Sequence, residues 1–253
     1  MSPPPNHRAV FARLLTILLS VAALPQAGCV REHDPEPKRV TQEVKGTGVV
    51  RGKVSYSGPP LALAATHDEP CCGGTAPIPD ESALVDPSGG VANVFVSVEG
   101  LPATDESASP APLLDQKDCR YAPHVVAVTA GQKLRIRSSD PTFHNVHYSP
   151  ASNPAKNFGM AKAGEEVTVT FDKAEIFGVR CDVHPWMLGY IGVFENRFFK
   201  VSAPDGSFEI GGLPPGTYKL AAWHERFGRR ETSFTIGAEG ANATTDIVYE
   251  APK

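Results

Sequence analysis

Short runs of alternating apolar and polar residues, closed by glycine, proline or aspartate, recur along this chain from residue 47 onward. A half-buried strand turns every second side chain toward a core, so alternation over roughly four to eight residues predicts a β-strand. The 23 Gly and 24 Pro supply many turns. No stretch after residue 47 has the 3.6-residue period of an amphipathic helix. The sequence therefore predicts an all-β protein built from antiparallel sandwiches.

The predicted strands form two groups, at residues 47–197 and 198–250. The second group contains GSFEI at 206–210 and LPPGTY at 213–218. These stretches resemble the small carboxypeptidase-regulatory-like or prealbumin-like β-sandwich. We therefore expect two consecutive sandwiches. Because the domain of that family usually begins with a Gly-x-Val strand, the alternative is that residues 47–60 belong to it and that the first sandwich is an insertion.

The N-terminus has the pattern of an export signal over residues 1–29. Basic residues precede an apolar run at 14–24, which is too short to span a membrane comfortably and ends at Ala27-Gly28-Cys29. This ending resembles a bacterial lipoprotein signal, in which Cys29 would carry the lipid; the alternative is an ordinary cleaved signal. Residues 30–46 are polar and predict a flexible tether. We expect a periplasmic or outer-membrane-anchored protein.

The charge of the chain argues against a nucleic-acid partner. The formal net charge is −4, and no cluster of Lys and Arg forms the basic surface that nucleic-acid binding requires. A membrane contact through Cys29 and a protein partner are the expectations that remain.

Metal-ligating side chains stand at the ends of predicted strands in two places. One is the stretch from Cys181 through His184 to Met187, and the other is HNVH, which begins at His144. One thiolate, two imidazoles and a thioether are the ligands of a trigonal copper site with a weak axial Met, which serves electron transfer. Loops gathered at one end of a sandwich can bring such residues together.

These two motifs resemble the cupredoxins, the blue copper proteins, and within them the amicyanin group. The resemblance covers roughly residues 90–196 and implies a Greek-key sandwich. It implies that His144, Cys181 and His184 are the strong ligands of one type 1 copper ion and that Met187 is the axial ligand. Asn145 would join the two ligand loops by hydrogen bonds. The family's partners are a c-type cytochrome and an amine dehydrogenase, so the resemblance implies a redox protein partner.

Two further expectations concern the neighbours of these residues. Strand alternation makes His147 a neighbour of the metal rather than a ligand. Residues 185–188 (PWML) predict an exposed apolar collar around His184, through which electrons would pass to a partner. The alternative is that Trp186 plugs the end of the sandwich or docks on the second sandwich.

The remaining cysteines allow two interpretations. In an oxidising compartment we expect a disulfide from Cys119 to Cys71 or Cys72. The alternative is a second soft-metal site that combines these cysteines with His67 and His124. The residues WHE at 223–225 end a predicted strand, and we expect them to form a loop with exposed polar side-chain ends.

The leading functional hypothesis is a one-electron carrier rather than an enzyme. A complete ligand set leaves no open metal position, and the eight histidines include no His-x-His pair of the kind a multicopper oxidase needs. The alternatives are a lipoprotein that traffics or stores copper, and a surface-binding module in which the second sandwich binds a ligand and copper is structural.

Overall fold

The computed structural model describes residues 39–61 and 78–251. The export signal, most of the tether, Cys29, His67, Cys71 and Cys72 lie outside this range. Within it the protein is all-β, as predicted, and its helical structure is limited to a 3₁₀ turn at Ala238–Gly240. In this part of the chain no helix has the length and apolar character needed to cross a membrane.

Seventeen strands run through the described residues: β1 Gly48–Ser57, β2 Phe95–Glu99, β3 Leu113–Lys117, β4 Arg120–Ala122, β5 Val125–Thr129, β6 Lys133–Ser138, β7 His144–Tyr148, β8 Lys156–Met160, β9 Glu166–Thr170, β10 Glu175–Arg180, β11 Leu188–Phe194, β12 Phe199–Val201, β13 Ser207–Leu213, β14 Gly216–His224, β15 Gly228–Ile236, β16 Ala243–Thr244 and β17 Ile247–Glu250.

Strands β3 to β11 form one sandwich, which we call the inserted sandwich. Its two sheets have the orders β4-β3-β6-β9 and β5-β11-β10-β7-β8. Both sheets are mixed, because β3 pairs with β6 and β5 with β11 in parallel. A fully antiparallel arrangement was expected. Alternating apolar residues of the two sheets, such as Leu114, Leu134, Val146 and Ile191, meet in one core, which also contains Cys181 and Met187.

The remaining strands form the second sandwich, which we call the host sandwich. One sheet has the order β13-β1-β16, with β17 also on β1, and the other has the order β12-β2-β14-β15. Val50 on β1 lies opposite Ile210, and Val96 on β2 lies opposite Ala222. A separate apolar core lies between these two sheets.

This pairing differs from the consecutive arrangement expected from the sequence. Strands β1 and β2 precede the inserted sandwich in the chain, yet they pair with strands that follow it, so the expected boundary at residues 197 and 198 does not separate the two sandwiches. The structure has the alternative arrangement, in which the inserted sandwich interrupts the host. Alternation identifies a strand and its buried face, but it carries no information about the partner of that strand.

The two sandwiches meet through aromatic rings and one buried polar contact. The ring of Tyr190 on β11 lies 5.1 Å from that of Trp223 on β14, and Phe194 lies 5.8 Å from Phe95. The side chain of His124 bonds to Glu225, and both are almost fully buried. The WHE cluster predicted as exposed polar tips therefore lies at this junction.

Candidate metal centre

The two predicted ligand motifs lie at one end of the inserted sandwich. His144 is the first residue of β7, and Cys181 directly follows β10. Strand β7 pairs with β10, so that His147 lies opposite Arg180. Because the pair is antiparallel and in register there, the start of β7 and the end of β10 meet at the same edge.

The second motif forms a tight loop between β10 and β11. Arg180 and Leu188 are paired across the two strands. Inside the loop, the N–H of Met187 donates to the carbonyl of His184 at 2.9 Å, and the N–H of Cys181 donates to the carbonyl of Met187 at 3.1 Å. These bonds fix the backbone at all three predicted ligands of this loop.

Three of the four predicted ligands converge on one point. The Nδ1 atoms of His144 and His184 are 3.0 Å apart, and the Sγ atom of Cys181 is 3.7 Å from the Nδ1 of His184. All three donor atoms lie within 4.8 Å of one another. Met187 is buried in the same core as Cys181. A soft sulfur and two ring nitrogens that share one small volume fit a copper ion of the type 1 class.

The protonation of Cys181 and of His184 favours metal binding. Burial raises the pKa of the Cys181 thiol, but hydrogen bonds from His144 and from the backbone N–H groups at 145, 183 and 184 outweigh burial, and the net pKa is lowered. Burial, followed by the proximity of His144, lowers the pKa of His184. Because metals bind the thiolate and the neutral imidazole, both shifts prepare the site for a cation.

His144 is held from its far side by a carboxylate. Its ring is fully buried, and its Nε2 atom bonds to the Oδ2 atom of Asp140 at 2.9 Å, which leaves Nδ1 facing the other ligands. Burial lowers the pKa of His144, but the bonds to Cys181 and Asp140 outweigh it and raise the pKa overall. A carboxylate in this position fixes the ring orientation of a metal ligand and raises its basicity. Asp140 was not singled out from the sequence, although its place four residues before His144 was a usable signal.

Asn145 joins the two ligand loops, as the resemblance implies. Its Oδ1 atom accepts a hydrogen bond from the N–H of Asp182 at 2.6 Å, and its Nδ2 atom donates to the Asp182 carboxylate at 2.9 Å. The backbone N–H of Asn145 also points to the sulfur of Cys181, at 3.5 Å. The two residues that follow the ligands His144 and Cys181 are therefore tied directly to each other.

His147 lies outside the group of converging donors. Its Nδ1 atom is 2.9 Å from both carboxylate oxygens of Asp182, and its side chain is partly exposed. This contact, with hydrogen bonds from two asparagines, lowers the pKa of Asp182 well below its usual range. His147 is thus placed beside the site rather than in it.

The apolar collar differs from the one predicted. Met187 is fully buried, and Trp186 is half-buried, with its indole N–H donating to the carbonyl of Cys119 at 3.2 Å. Trp186 therefore plugs the sandwich end, which was the alternative interpretation. The exposed apolar residues that neighbour the ligands in sequence are instead Phe143 at 48%, Val183 at 49%, Pro185 and Leu188. The ligands lie at or just beyond the ends of strands. The neighbouring residues 143 and 183 therefore lie in loops, where their side chains are exposed.

The two described members of the alternative second metal site, Cys119 and His124, have other partners. Cys119 is disulfide-bonded, and its partner lies outside the described residues. Sulfur in a disulfide is not a thiolate ligand, so the proximity of Cys119 to Asp140 and His144 does not make these three a metal site. His124, the other expected ligand in the described range, is bonded to Glu225 instead.

Comparison with known proteins yields likenesses of fold alone. No protein-family model matches the chain, and no curated protein matches it. Among solved structures, amicyanin from Paracoccus versutus is 20% identical with a TM-score of 0.30, and the match covers 39% of this chain and 96% of that protein. A copper-containing nitrite reductase from Thermus scotoductus is 21% identical with a TM-score of 0.30, over 38% of this chain and 24% of the reductase.

Proposed function

We propose that this protein is an exported one-electron carrier whose redox centre is a single type 1 copper ion. His144, Cys181 and His184 would be the strong ligands and Met187 the axial ligand. The observation that carries the proposal is the convergence of two imidazole nitrogens and one thiol sulfur within 4.8 Å. Thiolate with imidazole selects copper over harder metals, and a weak thioether completes the type 1 set.

Bound copper would supply a reversible one-electron couple between Cu(II) and Cu(I). The chain's contribution is to hold the ligands in one arrangement for both states. Asp140 orients His144, Asn145 ties the two ligand loops, and backbone bonds close the loop from Cys181 to Met187. A site that needs little rearrangement exchanges electrons quickly. Four ligands also leave no position for a substrate, which favours a carrier over an enzyme.

The exposed apolar residues around the site supply a docking face. From here on, the collar means these four residues: Phe143, Val183, Pro185 and Leu188. His184, which lies between Val183 and Pro185 in the sequence, is partly exposed. A contiguous exposed apolar patch marks an interaction site; in this proposal the collar forms such a patch, and electrons would enter or leave through His184. The partner would be a redox protein such as a c-type cytochrome or a dehydrogenase, and the protein would act in the periplasm or on the outer membrane, held there by lipidated Cys29.

The test is the colour and the magnetic signature of the purified protein. After expression with copper and oxidation, we expect an intense visible thiolate-to-copper band and a narrow hyperfine splitting in the electron paramagnetic resonance spectrum. Cys181→Ser should lose both, because the serine hydroxyl cannot supply the thiolate. His147→Ala is the matched control and should keep both, because His147 bonds to Asp182 and lies outside the donor group.

Other outcomes would favour other functions. A colourless protein that binds Cu(I) alone would replace the electron carrier with copper trafficking or storage. A protein that binds no copper would remove the metal centre altogether. Loss of colour in His147→Ala with retention in Cys181→Ser would contradict the ligand assignment.

A further inference from the structure

The hairpin of β3 and β4 touches both ligand loops, although it contributes no ligand. Lys117 and Arg120 are paired at its end, so the turn consists of Asp118 and Cys119 alone. Both residues have positive φ angles, 54° and 53°. Two-residue hairpin turns require this conformation, which is costly for residues other than glycine and persists where the surroundings hold it.

Asp140 connects this turn to the first ligand loop. Its carboxylate accepts hydrogen bonds from the N–H of Asp118 at 2.8 Å and from the N–H of Cys119 at 2.9 Å. The same carboxylate bonds to the Nε2 atom of His144 at 2.9 Å. Because Asp140, Cys119 and His144 are all buried, water does not compete for the bonds that Asp140 makes to Cys119 and His144. A movement of the turn would therefore move the group that orients His144.

The strands beside the turn hold the same loop at a second place. Gln116 on β3 donates from Nε2 to the carbonyl of Asn145 at 3.1 Å, and Tyr121 on β4 donates from its hydroxyl to that carbonyl at 2.9 Å. Asn145 directly follows His144 and bonds to the residue after Cys181. The hairpin therefore reaches both ligand loops through Asn145 as well.

Trp186 connects the turn to the second ligand loop. Its indole N–H donates to the carbonyl of Cys119 at 3.2 Å, and its ring lies 5.3 Å from the ring of His184. Cys119 thus contacts one loop through its N–H and the other through its carbonyl, while its side chain is held in a disulfide.

We propose that the β3–β4 hairpin positions the metal centre and that the disulfide of Cys119 locks it, with Asp140 and Trp186 as the positioning residues that transmit the lock to the two ligand loops. This inference rests on the proposed copper site. Reduction by a dithiol would take two electrons and two protons, convert the disulfide into two thiols and oxidise the dithiol to its own disulfide. The strained turn would then lose one of its restraints, and copper would be held more weakly.

The test measures the Cu(I) dissociation constant of the full chain by competition with a chromophoric Cu(I) chelator. Ascorbate keeps copper reduced by one-electron transfer and leaves disulfides intact. In the variant Cys71→Ser/Cys72→Ser/Cys119→Ser we expect binding to weaken about 10- to 100-fold, the usual cost of losing outer support of metal ligands. Trp186→Phe should weaken binding in the same direction with the disulfide intact. Trp223→Phe, a tryptophan change at the junction of the sandwiches, is the matched control and should leave binding within about twofold.

Two further measurements distinguish a role in positioning the metal centre from a general loss of stability. The triple variant should broaden the hyperfine splitting of the Cu(II) protein, which a loss of stability alone would not do. Native protein treated with a dithiol, freed of it and reoxidised should regain its original affinity. If the triple variant does not fold, the same comparison of Cu(I) dissociation constants is made with the dithiol-treated native protein and with Trp186→Phe.

Unchanged affinity and spectrum in a folded triple variant, or in the reduced native protein, would overturn the role of the hairpin while leaving the copper site intact. A native protein that binds no copper would instead remove the proposed function itself.

Discussion

We predict that His224 makes the host sandwich less stable in acid. It is fully buried at the end of β14, with its ring stacked 4.7 Å from that of Phe227. Its Nδ1 atom accepts a hydrogen bond from the N–H of Arg226 at 3.2 Å, so the proton resides on Nε2, which has no hydrogen-bond partner among the residues that the structure describes. Burial, with smaller contributions from His124 and Arg226, lowers the pKa of His224 from 6.5 to about 4.

The lowered pKa of His224 in the folded protein sets the direction in which stability changes with pH. Between pH 6.5 and about 4 the unfolded chain binds a proton at His224 that the folded chain does not bind, so the free energy of unfolding falls as the pH falls. The gap between the two pKa values corresponds to roughly 3 kcal/mol. This loss of unfolding free energy is complete only below the pKa that His224 has in the folded protein, and it is absent above pH 6.5.

The assay is urea unfolding of the native protein and of His224→Phe at about pH 7.5 and about pH 4. Phenylalanine keeps the stacking and cannot take up a proton. We expect the native protein to lose roughly 3 kcal/mol more than the variant between the two pH values. Phe227→Leu, which weakens the same stack without changing a titratable group, should destabilise equally at both pH values. Equal pH dependence in the native protein and His224→Phe would refute the reasoning.

Three further predictions concern the metal centre. Asn145→Ala should weaken copper binding about 10- to 100-fold, because the bonds to Asp182 join the ligand loops; competition with a chelator measures this. Met187→Leu should raise the reduction potential in voltammetry, because Cu(II) loses a donor, and should cost less than about 1.5 kcal/mol of stability, since the volume is kept. Val183→Asp should slow electron self-exchange about tenfold in NMR line-broadening, because two charged collars would meet. An unchanged value in any of these measurements would contradict the role given to that residue.

The sequence was sufficient for the all-β fold class and for the meeting of His144, Cys181 and His184 at one place, and the reasons are local. Alternation marks a strand, and the spacing from Cys181 to His184 and Met187 is that of a tight loop between two paired strands. His147 was correctly placed beside the donor group, because successive residues of a strand alternate in direction.

The long-range pairing of strands was left open by the sequence, which allowed both a consecutive and an inserted arrangement. The pairing of β1 with β13 depends on complementary faces rather than on any local pattern. The exposure of the collar residue Val183 depends on how the ends of β7 and β10 meet, and the bonds of Asp140 to the β3–β4 turn depend on a pairing between distant strands. The buried contact between His124 and Glu225 was missed for a related reason: polar residues at strand ends look exposed until a second sandwich covers them.

The insertion also orders events in time. The chain leaves the host sandwich after β2 and returns at β12, which pairs directly with β2. In a chain made from its N-terminus, every strand of the inserted sandwich emerges before β13 and β14 exist. Strands β1 and β2 therefore meet β13 and β14 only after the whole inserted sandwich has emerged. Because all strands of the inserted sandwich are contiguous in the chain, we expect it to be able to form before the host sandwich closes.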